Sequence, residues 1–363
     1  MEKDSIEELE IANVRRSFIW SSRFLKCMGI WPLKNYVPIF LFFFIYLSIH
    51  CSLAIAQLFW APKTLENVVS NVAENIASTM TLTKITITRM NREALRELFT
   101  ELEEYSLTEK YETKEEKLTF VNYTKLPPYF IIIITFSMTV AELLYYMNRV
   151  TEGIQIAKQN NSMGYKLPYR TLEIMDLKDS RIYALICAYQ LILVPAIILG
   201  YVGFDCMFVN LSIQKLVLRH YRLIRLTERL ENNFNLPIMQ QLFGTTIHIC
   251  LSGYYVLMSK ETKDNLQSFL FFVYISSVIC TLFIYCFIGE CFIQESSNFG
   301  NAIYNYNWYN LPVTESKFFL ICMTRSKKPQ FLTSGKFAVL SLSIFTDILK
   351  TSMGYLSVLR TFL

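Results

Sequence analysis

The chain has 363 residues, 53% of them hydrophobic and only 18% charged, with a mean hydropathy of +0.30 and a net charge of +5. A water-soluble domain carries about a quarter charged residues, so the deficit marks lipid as the solvent. The basic excess is too mild for a nucleic-acid partner and fits loops facing anionic lipid headgroups.

In chain order, residues 1–37 are charged and mixed and read as a cytoplasmic segment. The apolar run that follows is too long for a secretory signal and has no cleavage pattern, so it reads as an uncleaved span. A spanning helix needs about 20 mainly apolar residues. Span one is Pro38 to Leu58. Span two, Leu65 to Met90, contains Glu66, Glu74, Asn75 and Lys84, and hydropathy alone does not establish it. Topology does. Segment 89–126 carries seven Lys and Arg, and such residues gather on the cytoplasmic side, so 65–90 must cross. Spans three to seven follow as Pro127 to Met147, a stretch from Ile182, Leu242 to Met258, Leu266 to Phe292 and Phe337 to Leu359.

The expected fold is therefore an all-α membrane protein with seven transmembrane helices, its N-terminus cytoplasmic and its C-terminus extracellular. On that topology 23 Lys and Arg fall inside, eight outside, and four belong to the spans. G-protein-coupled receptors have the opposite orientation, and the chain lacks their DRY-like and NPxxY motifs. The inner segments have helical periodicity, with Leu95, Leu98, Phe99 and Leu102 on one face of 91–105. Ile213, Leu216, Val217, Tyr221 and Ile224 share a face in the extension after span four. Spacing alone leaves that extension either lying on the membrane or projecting inward. Of three sequons, Asn160 is expected to be glycosylated in an outer loop, while Asn122 and Asn210 stay bare inside.

Catalysis has little support, since there is no GxSxG, phosphate loop, HExxH or paired carboxylates on one span. Nine cysteines form no CxxC, and His50, His220 and His248 share no HxxxH, so neither a metal nor a cofactor is expected. Ionisable residues do occur near spans: Glu74, Lys84, Glu142, Asp205, Glu290 and Lys350. Intramembrane charge faces a protein interior or water. Headgroup depth is the simpler expectation for Lys84, Asp205 and Glu290. Tyr145, Tyr146, Tyr183, Tyr254, Phe269 and Phe272 fall near one depth, where they form either a ligand site or an interfacial aromatic belt.

The last third reads YCFIGECFIQESSNFGNAIYNYNWYNLP and then KFFLICMTRSKKPQFLTSGKFAVLSLSIFTDILKTSMGYLSVLR. Gly289-Glu290, Glu295-Ser296, Ala302-Ile303-Tyr304, Trp308, Arg325-Ser326, Lys328-Pro329, Thr333, Gly335, Phe337, Leu342, Phe345, Lys350, Tyr355 and Leu359 stand in the order of the insect odorant receptor family, which this region resembles. Thr83-Lys84 and Tyr189-Gln190 fit the family's looser pattern. The resemblance implies a ligand-specific tuning subunit of an odorant-gated, nonselective cation channel. Its partners would be a co-receptor subunit in a heterotetramer, a small volatile ligand and membrane lipid, in the plasma membrane of olfactory neuron dendrites.

The implied division is a pocket-bearing bundle over 38–210, a helical extension over 211–241, spans five and six over 242–292, a cytoplasmic anchor over 293–335 and a pore-lining segment over 336–363. By position the implied pocket residues are Ile76 and Met80, then Met138, Ala141 and Tyr145, then Ile186 and Gln190, and finally Tyr254, Phe269, Phe272 and Val273. The implied outer gate is Val358, Arg360, Thr361 and Phe362. Arg360 departs from the apolar gate of the co-receptor, because four such cations around a pore would repel a permeating cation. A gustatory receptor would end span seven with a TY-x5-QF pattern, which is missing here. A secondary transporter predicts internal repeats, and none is visible.

Overall fold

A computed structural model describes residues 22–62, 64–108, 114–159, 164–175, 177–216, 220–262 and 265–361. The architecture is a helical bundle with one two-residue hairpin near its end. Helix α1 (Val37–Trp60) starts on Pro38, whose missing N–H costs nothing in the first turn. Helix α2 (Leu65–Met90) is capped by the Thr64 hydroxyl, which accepts from the Asn67 N–H at 3.4 Å. Its bounds coincide with the span expected from the charge distribution. Helix α3 (Arg92–Thr108) buries Leu95, Leu98 and Phe99, three residues of its expected apolar face. Leu102 lies outside the residues whose side chains are described.

Helix α4 (Lys114–Gln159) is 46 residues long and runs past both expected ends of span three. Span four is built in pieces: α5 (Ser180–Leu191), α6 (Leu193–Ile197), a π-turn at Ile198–Val202 and α7 (Gly203–Leu216). Pro195 cannot donate to the turn behind it, and the helix adjusts by a break and a wider turn. Helices α8 (His220–Thr262) and α9 (Asn265–Asn305) each hold one expected span and continue beyond it as helix. Then come a 3-10 turn (Trp308–Asn310), α10 (Val313–Ser326), strands β1 (Thr333–Ser334) and β2 (Ala338–Val339), and α11 (Leu342–Arg360).

The start of span seven needs correction. Phe337 does not begin a helix. Gly335 and Lys336 have φ of 58° and 65°, and the Phe337 N–H donates to the Ser334 carbonyl at 3.0 Å. Two successive positive φ angles make the tight turn that joins β1 to β2. The helix starts only at Leu342, behind Ser341, whose hydroxyl accepts from the Ile344 N–H at 3.5 Å.

Helix α8 is central and packs against α2, α3, α9, α11 and β1. By length and composition, three stretches of the described residues suit a membrane: Val37–Trp60, Ser180–Ile213 and Phe271–Asn305. Helix α1 turns Phe42, Ile45, Ile49 and Phe59 outward, as a lipid-facing helix would. The polar residues of α2 are turned inward instead. Asn71, Glu74, Asn75 and Lys84 are all buried, so its low hydropathy reflects protein neighbours on several sides.

Lys84 and Asp205 form an ion pair of 2.5 Å buried within the bundle. Tyr285 donates to the same Asp205 oxygen at 2.6 Å, and the Lys84 ammonium lies 3.5 Å from the Tyr201 ring centroid. Gln241 donates to the Tyr201 hydroxyl at 2.7 Å. This cluster ties α2, the π-turn, α7, α8 and α9 together by charge and hydrogen bonds.

Candidate functional site

The cavity that brings chemistry together lies at the end of the bundle covered by the loop between α4 and α5. Its atom-free space is about 460 Å³ when the open solvent at its mouth is included. Its walls are Ala73, Glu74 and Ala77 from α2, Ala141, Glu142 and Tyr145 from α4, Tyr169 from the loop, His248 from α8, and Phe271 and Tyr274 from α9. A second space shares Ala77, Glu142, His248 and Tyr274 and continues to Met138, Ile197, Ile198, Tyr201 and Val202. Small residues on α2 and α4 leave the room, and aromatic residues from the loop and α9 enclose it.

The loop is drawn into the bundle rather than lying over it. Tyr169 is 1% exposed, and its hydroxyl donates to the Glu142 carboxylate at 3.0 Å. Gln190 grips the same residue in both directions. It accepts from the Tyr169 N–H at 3.1 Å and donates to the Tyr169 carbonyl at 3.0 Å and the Thr171 hydroxyl at 3.2 Å. A side-chain amide thus supplies the two bonds that a neighbouring strand would give. Next along, the Arg170 carbonyl accepts from Asn75 at 3.1 Å, and the Arg170 N–H donates to Glu74 at 2.9 Å. The Leu172 N–H donates to the Leu53 carbonyl of α1 at 3.1 Å.

Electrostatics differ sharply across this site. Glu74 is compensated by Arg149 at 3.1 Å and Arg170 at 3.5 Å. His248 meets the Tyr274 hydroxyl at 3.0 Å and Ser252 at 3.4 Å. Burial pushes the Tyr169 phenol far up, and the Glu142 carboxylate adds to the shift. At the loop rim burial pulls Glu152 upward, yet Arg149 and Lys166 outweigh it and hold the carboxyl below its ordinary value. Burial alone raises Glu173.

Of the expected pocket residues, Ala141 and Tyr145 line the main cavity and Met138 lines the space beyond it. Gln190 holds the roof rather than the wall. Ile76 and Ile186 are half-buried, the latter against Leu167, Leu177 and Tyr183 beneath the loop. Met80 is buried against Gly244, where an added Cβ would fall 2.4 Å from its sulfur. Tyr254 is buried and Val273 half-buried, and neither lines a described cavity. Phe269 and Phe272 point outward, 60% and 66% exposed, and Phe271 takes the inward position between them. The sequence reading gave no pocket role to Tyr169, His248 or Tyr274.

At the gate positions Val358 is 56% exposed, Arg360 and Thr361 are exposed, and Phe362 lies outside the described residues, as does Asn160. Asn210 is buried in α7, where no glycan could be attached.

Gln190→Leu removes both arms of the loop clamp and leaves the Tyr169 N–H and carbonyl without partners. An unsatisfied buried polar group costs roughly 1–3 kcal/mol. Amide hydrogen exchange over 165–172 is expected to accelerate, with the rest of the bundle unchanged. Unaltered protection there would show that the clamp does not hold the loop.

The motif residues of the last third have structural work of their own. The Glu290 carboxylate accepts from the Leu342 N–H at 3.2 Å and so caps α11. Gly289 lets the Leu340 carbonyl approach, since a Cβ there would lie 2.2 Å from that oxygen. The Thr333 N–H donates to Glu231 at 2.7 Å, its hydroxyl donates to the other Glu231 oxygen, and the Gly335 N–H donates to the Asn235 carbonyl at 3.0 Å. Ser296 accepts from the Gln330 N–H at 2.9 Å. Together these contacts fasten the hairpin and the start of α11 to α8 and α9.

Residues 210–353 match the family described as 7tm Odorant receptor. Three Drosophila melanogaster proteins are similar over the same fraction of the chain. Odorant receptor 13a is 28% identical over an alignment of 165 positions that covers 41% of this chain and 38% of that protein. Odorant receptor 9a is 27% identical over 148 residues, 41% and 37% of the two. The Odorant receptor coreceptor is 26% identical over 153 residues, 42% and 31%. The matched stretch spans about a third of each relative's length, from 31% to 38%. The fold is shared with the insect olfactory receptor OR5 from Machilis hrabei in complex with eugenol. The TM-score is 0.80 at 13% identity, over 96% of this chain and 99% of that one. The same receptor without that ligand in its description gives a TM-score of 0.81, over 95% and 97%.

Proposed function

We propose that this chain, whose residues 210–353 match the 7tm odorant receptor family, is an odorant receptor: a subunit of a ligand-gated, nonselective cation channel that binds a small volatile molecule inside its helical bundle. The observation that carries this reading is the aromatic cavity under the loop 164–179, in a bundle that shares its fold with a receptor described in complex with eugenol. The cavity offers apolar area for affinity and a few polar groups for orientation.

On this reading seven helical segments cross the plasma membrane, with the N-terminus cytoplasmic. The loop 164–179 faces outward, and the hairpin and α10 form the cytoplasmic anchor. Large exposed apolar residues there, Phe337 at 90%, Val313 at 73% and Ile321 at 68%, support burial against other subunits. Similarity to a coreceptor supports a mixed tetramer. Val358, Arg360 and Thr361, with Phe362 beyond them, line the outer gate from α11, whose Met353, Tyr355 and Val358 are left uncovered. Asn160 carries a glycan, and the site is the dendritic membrane of an olfactory neuron. Every relative named above is an odorant receptor or coreceptor, which disfavours the gustatory alternative.

Ligand binding opens such a channel only if the odorant binds the open state better than the closed one. The test is expression with and without a co-receptor, with currents recorded across an odorant panel. Odorant-evoked current that requires both subunits is expected. Tyr145→Ala is expected to weaken sensitivity roughly tenfold or more, as loss of a buried aromatic contact does, with surface expression intact. Absence of evoked current across the panel, with both subunits at the surface, would refute the channel reading. An unaltered dose–response in the variant would move the ligand elsewhere.

A further inference from the structure

Two carboxylates border the cavity, and they are not equivalent. Glu74 faces two guanidinium groups and the Arg170 N–H. Glu142 is equally buried, 9% exposed, and accepts one hydrogen bond, from the Tyr169 hydroxyl. Among the described residues no Lys, Arg or His lies within 4.0 Å of it. His248 shares the cavity, but its two ring nitrogens are directed to Tyr274 and Ser252. A buried carboxylate without a cation is costly, and the cost falls when a cation arrives with donors to satisfy its oxygens.

The rest of the wall suits a cation as well. Tyr145, Tyr169, Phe271 and Tyr274 surround the same space, with Tyr145 ring-to-ring distances of 6.1 Å to Tyr169 and 5.8 Å to Phe271. Aromatic faces attract ammonium groups, and several around one space form a cage for them. Ala73, Ala77 and Ala141 leave room for a short hydrocarbon body. Apolar volume, aromatic faces and one uncompensated carboxylate are together the requirements of a small alkylammonium.

We propose that this cavity is selective for small volatile amines, bound as ammonium ions to the Glu142 carboxylate within the aromatic wall. The inference rests on the odorant-receptor reading above and names its ligand class. A neutral molecule of the same shape fills the volume but leaves the carboxylate without a cation. Charge-assisted hydrogen bonds are about twice as strong as neutral ones, so the preference for the amine should be on the order of tenfold or more.

The experiment compares cyclohexylamine with cyclohexanol on the full chain co-expressed with a co-receptor, reading half-maximal concentrations for evoked current. The wild type is expected to respond to the amine at a concentration lower by that factor. Glu142→Gln should remove the preference by weakening the amine response alone, with surface labelling measured in parallel. Equal or better potency of the alcohol in the wild type overturns the proposal, whether or not the variant reaches the surface. So does an unchanged amine preference in a surface-expressed Glu142→Gln. Responses to other odorants but to neither probe also overturn it while leaving the receptor reading intact. Silence to every odorant on a broad panel is instead a failure of the receptor reading itself.

Discussion

Lys84→Met is expected to prevent the protein from accumulating as a folded bundle. The ammonium of Lys84 is fully buried, and its partner Asp205 also receives the Tyr285 hydroxyl. Removing the cation leaves a carboxylate in low dielectric with one phenol to stabilise it. Breaking a buried pair from one side costs about 3–5 kcal/mol, a large part of the 5–15 kcal/mol that holds a typical domain together. Surface labelling should fall to background, and the unfolding midpoint in detergent should drop sharply. Converting both partners, as Lys84→Met with Asp205→Leu, removes the stranded charge and should restore much of the loss. A Lys84→Met protein that melts like the wild type would mean that water reaches this site and screens the pair.

Gly289→Ala is expected to have the second largest effect, through geometry rather than charge. The added Cβ would meet the Leu340 carbonyl oxygen at 2.2 Å and its carbon at 2.7 Å. That carbonyl cannot step aside cheaply, because Leu340 is fully buried and its own N–H donates to Leu332 at 2.8 Å. Overpacking a close contact costs about 1–3 kcal/mol, and more where backbone must move. Displacing residues 340–342 also pulls the Leu342 N–H from Glu290 and uncaps α11. On the proposed channel reading, odorant-evoked current should therefore disappear while ligand binding, read as thermal stabilisation of the purified chain by an active odorant, persists. Wild-type current in Gly289→Ala would show that the 289–340 contact is not needed for coupling.

The parts of the fold legible in the sequence were those where one residue type repeats. Helix α1 is mainly apolar and holds no Asp, Glu, Lys or Arg, so its length and composition suit a span. Helix α2 was located by the basic residues after it, because Asn71, Glu74 and Lys84 lower its own hydropathy. The helix has the expected limits, Leu65–Met90, while its crossing of the membrane rests on the charge asymmetry alone. The pairing of Lys84 with Asp205 was out of reach, since hydropathy weighs each residue alone and the partner lies 121 positions away.

The site was half legible for a similar reason. Ala141 and Tyr145 lie on one face of α4, and the resemblance assigned that face to the pocket. On α9 three phenylalanines stand at 269, 271 and 272, each residue rotating the helix by about 100°. From Phe269 to Ile275 only the Tyr274 hydroxyl is polar, so nothing local fixes that rotation and Phe271 could not be distinguished from its neighbours. Tyr169 gave no signal because it sits in an irregular loop. The nearest hint was Gln190, a buried amide with four hydrogen-bonding capacities to fill.

The fastening of α11 has a mechanical consequence. Its first turn is held by Ser341, Glu290 and the hairpin docked on Glu231 and Asn235. Farther along, the Cys250 thiol of α8 donates to the Ser352 carbonyl at 3.4 Å, and the Leu356 side chain lies beside Gly253. A rod whose hydrogen-bonded fastenings concentrate at one end behaves as a cantilever. Nineteen residues at 1.5 Å each make an arm of about 28 Å, so a tilt of about 5° at the clamp carries the far end by about 2.5 Å. Small shifts in the packing of α8 against α9 are thereby magnified where Val358 and Arg360 stand.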